Sequence, residues 1–150
     1  MIRAVLDTNV LVSALLKLVN SPSSQIHQYF IRKEFLLLTS RTILREVERL
    51  INEDRIVTRY QLSTTRRHTF LYNLRRLSRL VTTRMSLSGA TNDPDDDKFL
   101  ACAMKGKADY VVSGDRHLLD IGHFHKIEII TPQGFLAVLK AIGKKDTDLT

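Results

Sequence analysis

The sequence predicts an α/β fold in which a parallel sheet of four or five strands is covered by helices on both faces. Three observations predict it. Short apolar runs alternate with longer segments whose apolar residues recur at helical spacing, the pattern of repeated strand–helix units. The runs are apolar nearly throughout, as in strands buried on both faces. Two of them end at an aspartate, in Leu6-Asp7 and in Ser113-Gly114-Asp115.

The first strand is read over Ile2 to Leu6 and passes straight into Asp7-Thr8-Asn9, residues that suit a helix start. Val10, Leu11, Ala14, Leu15 and Leu18 then mark the buried side of a helix. Asn20 to Ser24, with Pro22 inside it, is a turn leading to a second helix that carries Ile26, Tyr29 and Phe30. Phe35 to Thr39 reads as the second strand, and Ser40 precedes a helix with Ile43, Leu44, Val47, Leu50 and Ile51 on one face. Thr58 to Leu80 is a long helical stretch, broken near Ser63 to Thr65, with Phe70, Leu74, Leu77 and Val81 as its stripe. Leu80 to Thr83 is a short edge strand, Ser86 to Pro94 a polar loop, and Asp95 to Met104 a helix that Gly106 ends in a tight turn. Ala108 to Ser113 is a strongly apolar strand, Leu118 to Ile121 a short helical turn, and Ile127 to Thr131 a last strand. Pro132 opens the final helix, read to Ile142.

A chain of 150 residues with 43% hydrophobic content builds one core, so a single domain over residues 1–142 is expected, with 143–150 a flexible polar tail. The single cysteine, Cys102, excludes an intramolecular disulfide and suits a reducing compartment, so a cytoplasmic protein is expected. No segment has the make-up of a secretion signal, and no apolar run approaches the roughly 20 residues of a membrane helix. The net charge of +7 suits an acidic partner, because lysines and arginines beside phosphates release condensed counterions. The charges are segregated: Arg55, Arg59, Arg66, Arg67, Arg75, Arg76, Arg79 and Arg84 fall in a stretch without one acid, while Asp93, Asp95, Asp96 and Asp97 bunch together.

In an open parallel sheet, ligands bind beyond the carboxyl ends of the strands. Asp7 and Asp115 should both arrive there, Asp96 lies near the start of the helix preceding the second of these strands, and Glu46 lies one or two turns into the helix after strand two. Carboxylates gathered in one pocket repel one another unless a cation neutralises them. All-oxygen ligands favour a hard ion, Mg2+ or Mn2+, which can activate water against a phosphodiester. Each acid also has a plain structural role open to it. Asp7 and Asp115 can cap helices, Asp93 to Asp97 can form a turn and helix start, and Glu46 can pair with a neighbouring arginine. His68, His117, His123 and His125 read as surface or loop residues and Cys102 as packing. Among the aromatics, Tyr60 and Tyr72 could stack on bases, whereas Phe70 fits the core stripe better.

In their order along the chain, several stretches resemble one known family. They are Val5 to Ala14, Ile43 to Val47, Asp93 to Leu100, Ala108 to Asp115, Leu118-Leu119, Ile130-Thr131-Pro132 and Phe135-Leu136. The sequence resembles the PIN domains, particularly the VapC-like toxins of bacterial and archaeal toxin-antitoxin pairs. The resemblance implies a three-layer α/β/α fold and an acidic pocket that holds Mg2+ or Mn2+ and hydrolyses RNA. It implies Asp7, Glu46, Asp96 and Asp115 as the acids, with Asp97 the alternative register to Asp96, and Thr8, Asn9 and Ser113 as polar supports. Arg66, Arg67, Arg75, Arg76 and Arg79 are the candidates for holding the RNA backbone. A homodimer and a cognate antitoxin are implied as partners. Two rivals stand beside this reading. A phosphatase of the haloacid dehalogenase kind would need a second aspartate where Asn9 stands, and a non-catalytic RNA-binding or partner-sequestering module would not need the acids at all.

Overall fold

A computed structural model describes residues 1–16, 20–83 and 94–148, with the side chains of 94–96 and 145–148 outside the description. The loop read over Ser86 to Pro94 lies outside the described residues except for Pro94, which opens a helix, and the helical position of Leu18 also lies outside them, as does Asp93.

The elements follow the alternation expected. β1 (Arg3–Leu6) leads to α1 (Thr8–Leu16) and α2 (Pro22–Ile31), and β2 (Leu36–Thr39) to α3 (Arg41–Ile51), α4 (Asp54–Tyr60) and α5 (Thr64–Leu77). β3 (Arg79–Leu80) precedes α6 (Pro94–Gly106), and β4 (Tyr110–Val112) precedes α7 (Arg116–Ile121). β5 (His123–Phe124), β6 (Ile127–Ile130) and α8 (Pro132–Asp148) complete the chain. Serines set three of the helix starts: Ser21, Ser40 and Ser63 accept bonds from the backbone N–H groups of Ser24, Ile43 and Arg66.

The sheet order is β3-β2-β1-β4-β6-β5, parallel throughout except for β5, which runs against β6. The sheet thus has one strand more than expected. The addition is His123–Phe124, too short to show any periodicity, joined to β6 through His125 in the left-handed conformation at φ 57. From β1 the chain steps outward through β2 to β3, then returns past them to place β4 on the other side of β1. Right-handed crossovers then put α6 on the face opposite α1 and α2. α6 packs on β1, β2 and β4, whereas α2 packs between α1 and α8, which gives the three-layer α/β/α arrangement. Strand order reverses between β1 and β4, and that is where a ligand crevice opens in such sheets.

The core is continuous through the sheet. Phe30, Phe135, Leu11, Ile26, Leu38, Ile43, Leu74 and Leu100 are fully buried. Phe135 meets Phe35 edge-on at 5.1 Å, the geometry aromatic pairs prefer. Cys102 packs in this core, and burial pushes its thiol up to about 12, so it is inert at neutral pH.

Two boundaries differ from the sequence reading for physical reasons. Gly106 does not form the turn after α6; the left-handed residue there is Lys107 at φ 56. Glycine is needed at 106 for space, since a Cβ would lie 2.8 Å from Leu38 Cδ1 and 3.1 Å from Val81 Cγ2. The last helix also continues past Ile142 to Asp148, because Gly143 is tolerated inside it at a cost of only about 1 kcal/mol.

One titratable group lies between α2 and α5. The His27 ring stacks on Phe70 at 5.2 Å and leans on Phe30 at 5.8 Å, and its Nε2 has no hydrogen-bond partner among the described residues. Burial pushes its pKa below the ordinary value of 6.5. Above that value His27 is neutral whether folded or unfolded; below it the unfolded chain takes up the proton first, so stability falls as pH falls. Denaturant melts at pH 7.5 and 5.5 should therefore show a smaller loss of stability on acidification in His27→Leu than in the parent. An equal or larger loss in the variant would contradict this role.

Candidate active site

The reversal of strand order brings two aspartates to one place. Asp7 follows the last residue of β1, and its backbone N–H donates to Val112 O at 3.0 Å, extending the β1–β4 pairing by one residue. Its side chain is only 3% exposed. Oδ1 accepts from Val10 N at 2.8 Å, so Asp7 does cap α1, while Oδ2 accepts a close bond from Ser113 Oγ. Ser113 is fully buried, and its hydroxyl in turn accepts from Asp115 N at 2.9 Å. One serine oxygen thus ties Asp7 to the backbone of Asp115. The Asp115 carboxylate is half-buried and caps α7 through Oδ1, which accepts from His117 N at 2.9 Å.

The electrostatics follow from that geometry. Burial pushes the Asp7 pKa above its ordinary value of 3.8, the bonds from Ser113 and Val10 oppose the rise, and the negative charge of Asp115 adds to it. Two carboxylates close enough to repel, one of them almost wholly removed from water, are a site with a deficit of positive charge. Thr8 Oγ1 beside Asp7 is buried and has no hydrogen-bond partner among the described residues. Carboxylate and hydroxyl oxygens with unmet demand suit a hard divalent ion. The chemistry of these oxygen donors is of the kind that suits Mg2+ or Mn2+.

The other predicted residues fall as follows. Asn9 is exposed at the start of α1. Glu46 is on α3 and stands apart from the aspartate pair; its Oε2 accepts a close bond from Lys98 Nζ of α6. α6 precedes β4, so its first turn opens at the same sheet edge as Asp7. Asp96 belongs to that turn, though its side chain lies outside the described residues, and Asp97 beside it is half-buried. Among the described residues, no three Asp, Glu, His or Cys side chains stand close enough together to grip one ion.

The arginines divide into two groups. Arg66 donates to Leu15 O at 2.9 Å and Arg67 makes a short bond to Asn52 Oδ1. α1 and α3 both start at the carboxyl edge and, at about 1.5 Å per residue, carry Leu15 and Asn52 roughly 12 and 18 Å along the helices from it. Arg66 and Arg67 therefore brace helix ends remote from the aspartates. Arg75 pairs with Glu48 of α3 at 2.8 Å, and Arg76 lies 6.0 Å over the ring of Tyr72, which is 59% exposed. Arg79 is exposed and level with Leu38, one residue short of the carboxyl edge. By register, then, Arg79 is the predicted arginine whose backbone lies nearest the sheet edge that carries Asp7.

Lys98 was not singled out from the sequence. It follows the run of acids and lies far along the chain from Glu46, so no local pattern links the two. Only the packing of α3 against α6 does.

The PIN domain family model matches residues 3–117. No curated protein matches the sequence significantly. Among solved structures, the crystal structure of PAE2754 from Pyrobaculum aerophilum is similar in fold, with a TM-score of 0.64 over 93% of this chain and 90% of that one at 14% identity.

The burial of Asp7 has a measurable cost. Its folded-state pKa is raised, so the ionised carboxylate destabilises the fold at neutral pH, and the penalty fades as pH falls toward 3.8. Asp7→Asn keeps an acceptor for Val10 N, and its amide N–H donates to Ser113 Oγ once that hydroxyl turns its own proton away. With metal removed by EDTA at pH 7, it should melt about 2–4 °C above the parent, the size that about 1 kcal/mol gives a domain of this length. The gain should shrink toward pH 4; a variant less stable than the parent at pH 7 would contradict the charge deficit.

Proposed function

The chain belongs to the PIN domain family, and from that premise we propose that it is a Mg2+- or Mn2+-dependent endoribonuclease acting as the toxin of a toxin-antitoxin pair. The observation that carries the reading is the Asp7–Ser113–Asp115 cluster at the reversal of strand order, two carboxylates that repel each other, one of them buried. Asp96, in the first turn of α6, is the third acid of the proposed site, with Asp97 the alternative. When bound, the ion supplies activation of water and neutralisation of charge on the phosphodiester.

The chain's own residues supply the rest. Asp7 and Asp115 hold and orient the site, and Ser113 ties the Asp7 carboxylate to the backbone of Asp115. Thr8 offers a further oxygen. Glu46 orients the surrounding ligands or helps to hold a second ion. Arg76 and Arg79, on the exposed surface running to the sheet edge, hold the RNA backbone, and Tyr72 offers a face on which a base can stack. Water attacks phosphorus in line; the P–O3′ bond breaks, leaving a 3′-hydroxyl on one fragment and a 5′-phosphate on the other. The basic surface also suits an acidic segment of an antitoxin, and a cytoplasmic homodimer is part of the same proposal.

Purified protein incubated with single-stranded RNA should cleave it with Mn2+ or Mg2+ and not with EDTA. Asp7→Asn and Asp115→Asn should each lower the rate by roughly 100-fold or more, the scale for losing a group that stabilises developing charge. Whichever of Asp96→Asn and Asp97→Asn falls as far identifies the third acid. RNA binding without cleavage under either metal would overturn the enzyme and favour a non-catalytic module.

A further inference from the structure

The Glu46–Lys98 pair joins two helices and is more buried than a surface ion pair. The Lys98 side chain is 14% exposed and that of Glu46 is 30% exposed, so both charges are largely withdrawn from water. Desolvation of this degree is repaid only when each charge keeps a partner, and removing one partner leaves the other buried and uncompensated. The pair joins α3 to α6, the helix whose first turn carries Asp96 and Asp97. Lys98 Nζ also lies 5.1 Å from the centroid of the Phe99 ring, whose face favours a cation. The ammonium therefore keeps an attractive neighbour if it gives up Glu46.

We propose that Lys98 is a positioning residue that holds the Glu46 carboxylate in place until a divalent cation takes it, so that metal binding is an exchange of one cation for another at Glu46. This rests on the nuclease reading above. Without Lys98, the Glu46 carboxylate would be a partly buried negative charge that has lost the cation balancing it. With Lys98, Glu46 is charged and oriented before the ion arrives, and the ion must compete for it. Lys98 thereby sets the concentration of metal at which the site fills.

Calorimetric titration with Mn2+ alone, in the full-length protein, tests this. Lys98→Met removes the competitor while keeping the apolar stem, and should bind Mn2+ about tenfold more tightly, within the range by which neighbours of metal ligands tune affinity. A variant that merely loosened α3 from α6 would bind more weakly. Loss of a positive charge could also tighten binding at a distance, so the same substitution is made in Glu46→Gln. There Lys98→Met should change affinity by less than about twofold, since the carboxylate it competes for is gone. A Lys98→Met protein no tighter than the parent, or an equal gain in both backgrounds, overturns the role of Lys98 and leaves the nuclease reading standing. Absence of Mn2+ binding by parent and variant alike overturns both.

Discussion

A carboxylate almost wholly withdrawn from water beside a second carboxylate is the constraint on which the remaining features turn. Asp7 is held where it is by three backbone and side-chain bonds: its own N–H to β4, Val10 N to Oδ1, and Ser113 Oγ to Oδ2. Those bonds fix the carboxylate but do not neutralise it, and Asp115 adds repulsion. A fold that keeps such a charge buried spends stability on it, as functional sites commonly do.

Backbone topology makes the juxtaposition unavoidable. β1 lies at the middle of the sheet, the chain passes outward through β2 and β3, and it returns to place β4 on the other flank of β1. The register Leu6 against Val112 then sets the next residues of both strands side by side at the carboxyl edge. α1 and α3 start at that edge and α6 opens at it, so residues far apart in sequence converge through helix starts rather than through a long loop. Capping and chemistry share the same side chains: Asp7 and Asp115 each cap a helix with one oxygen. The plain structural role and the functional one are therefore compatible at both positions.

Much of this was legible in the sequence. Leu6-Asp7 and Ser113-Gly114-Asp115 announce strands that stop at acids, and the serines before α2, α3 and α5 mark helix starts by a local rule. Terms fixed by tertiary contact were not legible. The need for glycine at 106 comes from Leu38, and the partner of Glu46 is Lys98 on another helix rather than a neighbouring arginine. Similarly, Arg66 and Arg67 share a basic stretch with Arg76 and Arg79, yet they bond to the far ends of α1 and α3. A charge run in sequence says nothing of where each helix face points. β5 escaped notice because a two-residue strand carries no pattern.

The most direct test of the account is diffraction from crystals soaked in Mn2+, with the ion located by its anomalous signal. The account predicts one ion bound jointly by the carboxylates of Asp7 and Asp115 at about 2.0–2.3 Å, typical of hard cations with oxygen ligands. An ion located elsewhere, or none while the two carboxylates keep their bonds to Ser113 and His117, would contradict it.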